Sequence, residues 1–200
     1  MNRSRSIWQA SLTDFRNAIE ARAMPGCGAA AAVCAGLGLA LVLKGLRLSE
    51  ARSSVPVRVA LIERGDDLRD TLARLGDADV AAFERYLEIM KQPHAKPEQA
   101  RRHDQLARAI EKTCRVPLEI ACASRDGLAL GVEALEQTSA RLRSDTQAGL
   151  RLMHAGLNAV LIGFDDNLAD IDDAALRNVL AQERHALQAE ADALLGRVGD

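Results

Sequence analysis

Gly26-Cys27-Gly28-Ala29-Ala30-Ala31-Ala32-Val33-Cys34-Ala35-Gly36-Leu37-Gly38-Leu39-Ala40-Leu41-Val42-Leu43 is an unbroken run of 18 uncharged residues, introduced by Met24-Pro25. Its length is near that of a bilayer span. Its composition points elsewhere, because it is rich in Ala and Gly rather than Leu, and no second such run follows. A helix apolar on all sides is equally the central helix of a bundle. The run therefore predicts a core helix from Gly28 to about Leu46. Gly36 and Gly38 each cost about 1 kcal/mol of helix propensity against Ala, and close backbone contact with a neighbouring helix is the expected compensation.

The rest of the 200 residues agrees with a helical bundle. The chain is 48% hydrophobic but only 2% aromatic, so its core must be built from Ala, Leu and Val. Charged residues make up 27% and Pro is scarce, a helix-favouring mixture. This length fits one domain with a full core. Residues 1–200 are expected to form a single domain, with 1–7 as a disordered tail that lacks an apolar signal core. The net charge is −2 and no basic block appears, which argues against a nucleic-acid partner. The four cysteines, Cys27, Cys34, Cys114 and Cys122, form no C-x-x-C pair, and no His stands at metal-ligand spacing from them. They read as buried small residues of a reducing cytoplasm, with no metal site.

Apolar residues recur at three- and four-residue steps almost throughout, and strand alternation is never sustained. A first helix is expected from Leu12 to Ala23, capped by Ser11 or Thr13. Val55-Pro56 opens another, with Ser53 or Ser54 as cap. Gly76 is expected to interrupt it, leaving Asp77 or Asp79 to cap a further helix through Met90. Gln92-Pro93-His94-Ala95-Lys96-Pro97 reads as a loop. Pro117 is expected to kink or divide the helix that follows. Ser144-Asp145 and then Asp170 or Asp172 are the expected caps of the last two helices. The fold class is all-α, a bundle of five to six long helices.

No Ser-His-Asp order, P-loop, dinucleotide fingerprint or H-E-x-x-H is present. What remains is a loop of Pro25, Gly26, Cys27 and Gly28 at a helix N-terminus. Such ends carry unpaired N–H groups and partial positive charge, and glycines let a flat ligand approach the backbone. The same glycines also fit a purely structural turn. Asp79 is a candidate base, with a capping role as the bland alternative. His94 is a candidate proton carrier, because an imidazole can both take and give a proton, although a loop His is often idle. His154 fits a packing role, and Arg101 and Arg102 are candidate partners of a ligand carboxylate or part of a solvated face.

Several segments occur in an informative order. Phe15-Arg16-Asn17-Ala18-Ile19 leads into Pro25-Gly26-Cys27-Gly28-Ala29-Ala30-Ala31, and Asp79-Val80-Ala81-Ala82-Phe83 precedes Pro93. Val116-Pro117-Leu118, Ser144-Asp145 and Asn158-Ala159-Val160-Leu161-Ile162 follow. This order, from about Leu12 to Arg197, resembles the cyclodeaminase/cyclohydrolase family, which includes the cyclodeaminase half of formiminotransferase-cyclodeaminase and the bacterial methenyltetrahydrofolate cyclohydrolases. The resemblance implies a homodimer with a tetrahydrofolate derivative, as substrate, in a cleft near the dimer interface. It implies chemistry on the one-carbon unit bridging N5 and N10, with Asp79 and His94 moving protons and Pro25 to Gly28 cradling the ligand. The chain departs from the family pattern at several places. Cys27 stands at the middle glycine of P-G-G-G-S, a change that strains the backbone if positive φ is needed there. Leu46-Arg47-Leu48-Ser49-Glu50 lacks the lysine of L-T-x-G-K, His94 replaces a Lys, and Ala159 and Gly163 replace the asparagines of N-V-x-I-N. A member that binds folate or a protein partner without catalysis is the alternative these departures imply.

Overall fold

The computed structural model describes residues 6–92 and 99–198. Six α-helices are formed by the described residues: α1 (Leu12–Ala21), α2 (Cys27–Glu50), α3 (Pro56–Met90), α4 (Gln99–Gln137), α5 (Arg143–Leu168) and α6 (Ala174–Gly196). Short 3-10 turns precede α1 and α5, and no strand occurs among the described residues. The all-α expectation is met, with five long helices and one short one.

The apolar run forms the centre. α2 packs against α5, α3 and α4. Leu39, Val42, Leu43 and Leu46 are fully or almost fully enclosed, so the bilayer-length helix is mostly a core element. The expected compensation for Gly38 is visible. A Cβ there would lie 2.5 Å from the Gly149 carbonyl of α5, and a Cβ at Gly149 would strike the Gly38 carbonyl in return. Two backbones in contact need both glycines, and the dispersion gained by that approach offsets their poor propensity. Phe164, Leu61, Leu72, Ile120, Leu130 and Met153 fill the remaining volume.

Several local expectations are corrected. Gly76 does not interrupt a helix, and α3 runs unbroken through it. A Cβ at Gly76 would lie 2.9 Å from Ile7 Cδ1, and one at Gly36 would lie 2.8 Å from Trp8 Cη2. These glycines make a slot for the N-terminal segment, and tertiary packing overrides the local propensity. Asp77 does not cap a helix either; its Oδ1 accepts from Ile7 N–H at 2.8 Å, while Trp8 Nε1–H donates to the Ala73 carbonyl at 3.1 Å. Ile7 is thus docked rather than part of a disordered tail, whereas residues 1–5 lie outside the described residues.

Ser11 caps α1, accepting from Asp14 N–H at 3.0 Å, and the helix ends at Ala21. Val55, not a serine, takes the N-cap position of α3, with Pro56 in its first turn. Pro117 lies inside α4 without dividing it. Leu142 precedes α5, and Asp145 pairs instead with Lys44 of α2 at 2.7 Å. Asp173, rather than Asp170 or Asp172, caps α6 through Ala175 and Leu176 N–H. Of the cysteines only Cys114 is buried, and burial pushes its thiol up to about 12.

Candidate active site

A cavity of about 220 Å³ opens where the N-terminus of α2, the middle of α3, the Pro117 turn of α4 and the last turns of α5 converge. Its construction begins with an uncapped helix. Gly26 is the N-cap residue of α2 and has no side chain to accept from the first N–H groups. Asp79, reaching across from α3, supplies the acceptor. Its carboxyl receives the Ala29 N–H and lies directly against the Gly28 Cα. A Cβ at Gly28 would sit 2.5 Å from Asp79 Cγ. Gly28 is therefore glycine because a carboxylate occupies the volume of its side chain. Asp79 does serve as a cap, but of α2 rather than of its own helix.

Asp79 is drawn in two directions. Burial pushes its carboxyl above the ordinary carboxylate range, and the Ala29 N–H pulls it back, with burial the larger effect. Cys27 lies beside it as the first residue of α2. Although the residue is exposed overall, partial desolvation of its thiol pushes it up, and the carboxylates of Asp79 and Asp166 push it further in the same direction. The thiol is thereby held protonated and is a poor nucleophile. Its Sγ lies over Gly163, where any side chain would collide with it. No non-glycine residue among those described has positive φ, so Cys27 carries no backbone strain.

Gly26, Cys27, Gly28 and Asp79 thus border one cavity. Pro25 lines an adjoining open groove of about 820 Å³ between α1 and α3, continuous with the cavity through Ala23, Met24 and Val80. His94 lies outside the described residues. Arg101 and Arg102 do not line the cavity. His154 belongs to the α5–α6 seam, with Nε2 at 2.7 Å from Asp192 Oδ1 and Nδ1 at 3.1 Å from Asn158 Nδ2, as a packing histidine should. Sequence reasoning missed Thr113, Asp166 and Asn167, all on the cavity wall. Pro117 was the available signal for Thr113, because a proline leaves the carbonyl four residues earlier without its helical partner.

Chemically the cavity offers two carboxylates, a polarised helix end, an apolar wall of Val80, Phe83 and Val160, and no Lys or Arg among its described lining. Such a lining favours a flat ligand that is rich in donors or positively charged. The family described as formiminotransferase-cyclodeaminase matches residues 11–186. The methenyltetrahydrofolate cyclohydrolase of Methylorubrum extorquens is 28% identical over 179 residues, which is 87% of this chain and 86% of that protein. The formimidoyltransferase-cyclodeaminases of Gallus gallus and Sus scrofa are each 30% identical over 84% of this chain, which spans only 32% of their length. A solved formiminotetrahydrofolate cyclodeaminase from Thermotoga maritima shares the fold, with a TM-score of 0.86 at 21% identity over 96% of this chain and 95% of that one. With the match running from α1 into the middle of α6 and including every residue that lines the cavity, the chain belongs to the formiminotransferase-cyclodeaminase family.

Proposed function

We propose that the cavity binds a tetrahydrofolate derivative and that the chain hydrolyses 5,10-methenyltetrahydrofolate to 10-formyltetrahydrofolate, or performs the related formimino cyclodeamination. The observation that carries this reading is Asp79, half-buried over the α2 N-terminus in a cavity that has a second carboxylate and no cation among its described lining. The methenyl bridge is a cationic carbon between two nitrogens. A carboxylate beside it offsets that charge and accepts the proton of the attacking water. The water oxygen bonds to the bridge carbon and gives one proton to Asp79; the carbon–N5 bond then breaks as the remaining hydroxyl proton is lost and N5 takes up a proton, so that N10 keeps the formyl group and one proton is released overall. In cyclodeamination N10 attacks the formimino carbon and ammonia leaves. Burial makes the Asp79 carboxylate a stronger base than an ordinary one, which favours its taking the proton of the water.

The cavity is smaller than the roughly 300–1,000 Å³ typical of a whole ligand site. It suits the bicyclic head and the bridge, while the benzoyl and glutamate end would follow the groove along α1, where Arg22 stands. We also assign a homodimer in the cytoplasm. Leu37 of α2 and Leu152 and Ile162 of α5 are 50%, 38% and 66% exposed on two helices that pack together, apolar surface that a second copy would cover. The four free thiols suit a reducing compartment.

The test follows methenyl absorbance with wild type and Asp79→Asn. Asparagine can still accept from Ala29 N–H but cannot take a proton. Turnover by wild type and a loss of about 10²–10⁴-fold in the variant is expected. Folate binding with no turnover by either protein would instead establish the ligand-binding alternative.

A further inference from the structure

The part of the cavity wall formed by α4 and α5 holds a hydrogen bond that proline chemistry makes necessary. Pro117 has no N–H, so the Thr113 carbonyl inside α4 loses its helical donor. Thr113 is almost fully buried, and a buried carbonyl left unpaired is costly. The Thr113 hydroxyl is engaged elsewhere, donating to the Ile110 carbonyl at 2.8 Å. The missing donor comes from α5, where Asn167 Nδ2 donates to the Thr113 carbonyl at 2.8 Å. A carbonyl can only accept, so this bond fixes which end of the Asn167 amide is nitrogen. Asn167 Oδ1 has no hydrogen-bond partner among the described residues and is not sealed from solvent, and the residue lines the cavity.

We infer that Asn167 is a ligand-orienting residue: the carbonyl freed by Pro117 anchors its amide nitrogen, and its amide oxygen is thereby presented to the cavity as a fixed acceptor for the N–H groups of the ligand's aminopyrimidinone ring. This inference rests on the folate reading above and specifies which end of that ligand enters. Of the parts of a reduced folate, the pterin edge carries a cluster of N–H donors. The glutamate end carries acceptors, which two carboxylates and an amide oxygen would repel. A preset acceptor holds the ring in one orientation, and the bridge carbon then faces the carboxylate rather than solvent.

Titration calorimetry with 5-formyltetrahydrofolate and its 2-desamino-2-methyl analogue tests this assignment. Wild type should prefer the amino ligand by about tenfold, the worth of one well-placed hydrogen bond. Asn167→Ala should bind the two within about twofold of each other. Because removing Asn167 strands the Thr113 carbonyl, the same comparison belongs in a Pro117→Ala background. There the substituted alanine brings a backbone N–H that supplies the donor, and the melting-temperature loss caused by Asn167→Ala should largely disappear while the ligand preference stays abolished. A tenfold preference surviving in Asn167→Ala, or wild type binding both analogues equally, would overturn the inference and leave the folate reading standing. Wild type binding neither compound would overturn both.

Discussion

Replacing Gly28 with alanine separates helix stability from site geometry. Alanine is the better helix former by up to about 1 kcal/mol, so propensity alone predicts a small gain. The structure predicts a different outcome for catalysis. The new Cβ would lie 2.5 Å from Asp79 Cγ and 2.7 Å from Oδ2. Carbon atoms in ordinary contact stand about 3.5–4.0 Å apart, so the carboxyl group must withdraw by about 1 Å. It would then lose the Ala29 N–H and with it some of the capping energy, about 0.5–2 kcal/mol for such groups. The two effects on stability oppose each other, and the melting temperature should change little. A catalytic group misplaced by about 1 Å costs roughly 100-fold in rate, or about 2.7 kcal/mol of transition-state stabilisation. The assay is kcat/KM for methenyltetrahydrofolate beside a thermal melt of the same preparation. A variant that melts with wild type and retains kcat/KM within threefold would refute the role given to Asp79, because its carboxyl cannot stay where it is.

Asp79 also sets a pH dependence. Its folded pKa is raised, so folding favours the protonated acid; that relative stability is present below the unfolded pKa and is lost as pH rises through the folded one. Asp79→Asn should therefore melt higher than wild type near neutral pH, with the difference shrinking in acid, and the acidic limb of the wild-type rate profile should fall above the ordinary carboxylate range. Trp8 is the chain's one tryptophan, and Gly36→Ala puts a Cβ 2.8 Å from its ring. Red-shifted Trp emission and a loss of about 1–3 kcal/mol by denaturant titration are expected, as for other overpacked sites. Leu37→Glu with Ile162→Glu should convert a dimer to monomer by light scattering while leaving the helical circular dichroism intact. An unchanged mass of two chains would place the interface elsewhere.

The fold was legible because its information is periodic and local, whereas the errors arose where a distant partner decides. Leu150, Met153, Leu157, Val160, Leu161 and Phe164 recur at helical steps and all turn inward. Gly76 reads as a break because propensity is a local quantity, yet Trp8 and Ile7, nearly 70 positions earlier, determine why it is glycine. Ser11 caps α1 as expected, and the caps that differ do so for a related reason. Asp170, Asp172 and Asp173 are chemically equivalent candidates, and the choice among them depends on where α6 docks. In the site, Asp79 was visible as an acid at the right place in an ordered series of segments, but its partner N–H on Ala29 was not. Asn167 was invisible for the same reason. The half of the argument carried by Pro117 is in the sequence, while its complement lies 54 residues from Thr113.

The departures at positions 27 and 163 follow one packing logic. Taken separately, Cys27 stands where the family pattern has a glycine and Gly163 where it has an asparagine. In the structure the Cys27 thiol lies over Gly163, and no side chain fits at 163 while it does. The Cys27 side chain occupies the space that a side chain at 163 would need, and both residues line the cavity. Position 27 never needed positive φ, since it is the first residue of an ordinary helix. What changes is polarity. A thiol kept neutral by burial and two carboxylates contributes little hydrogen bonding, so orientation of a ligand in this cavity must come from other groups. Asn167, fixed by the carbonyl that Pro117 frees, is placed to supply it.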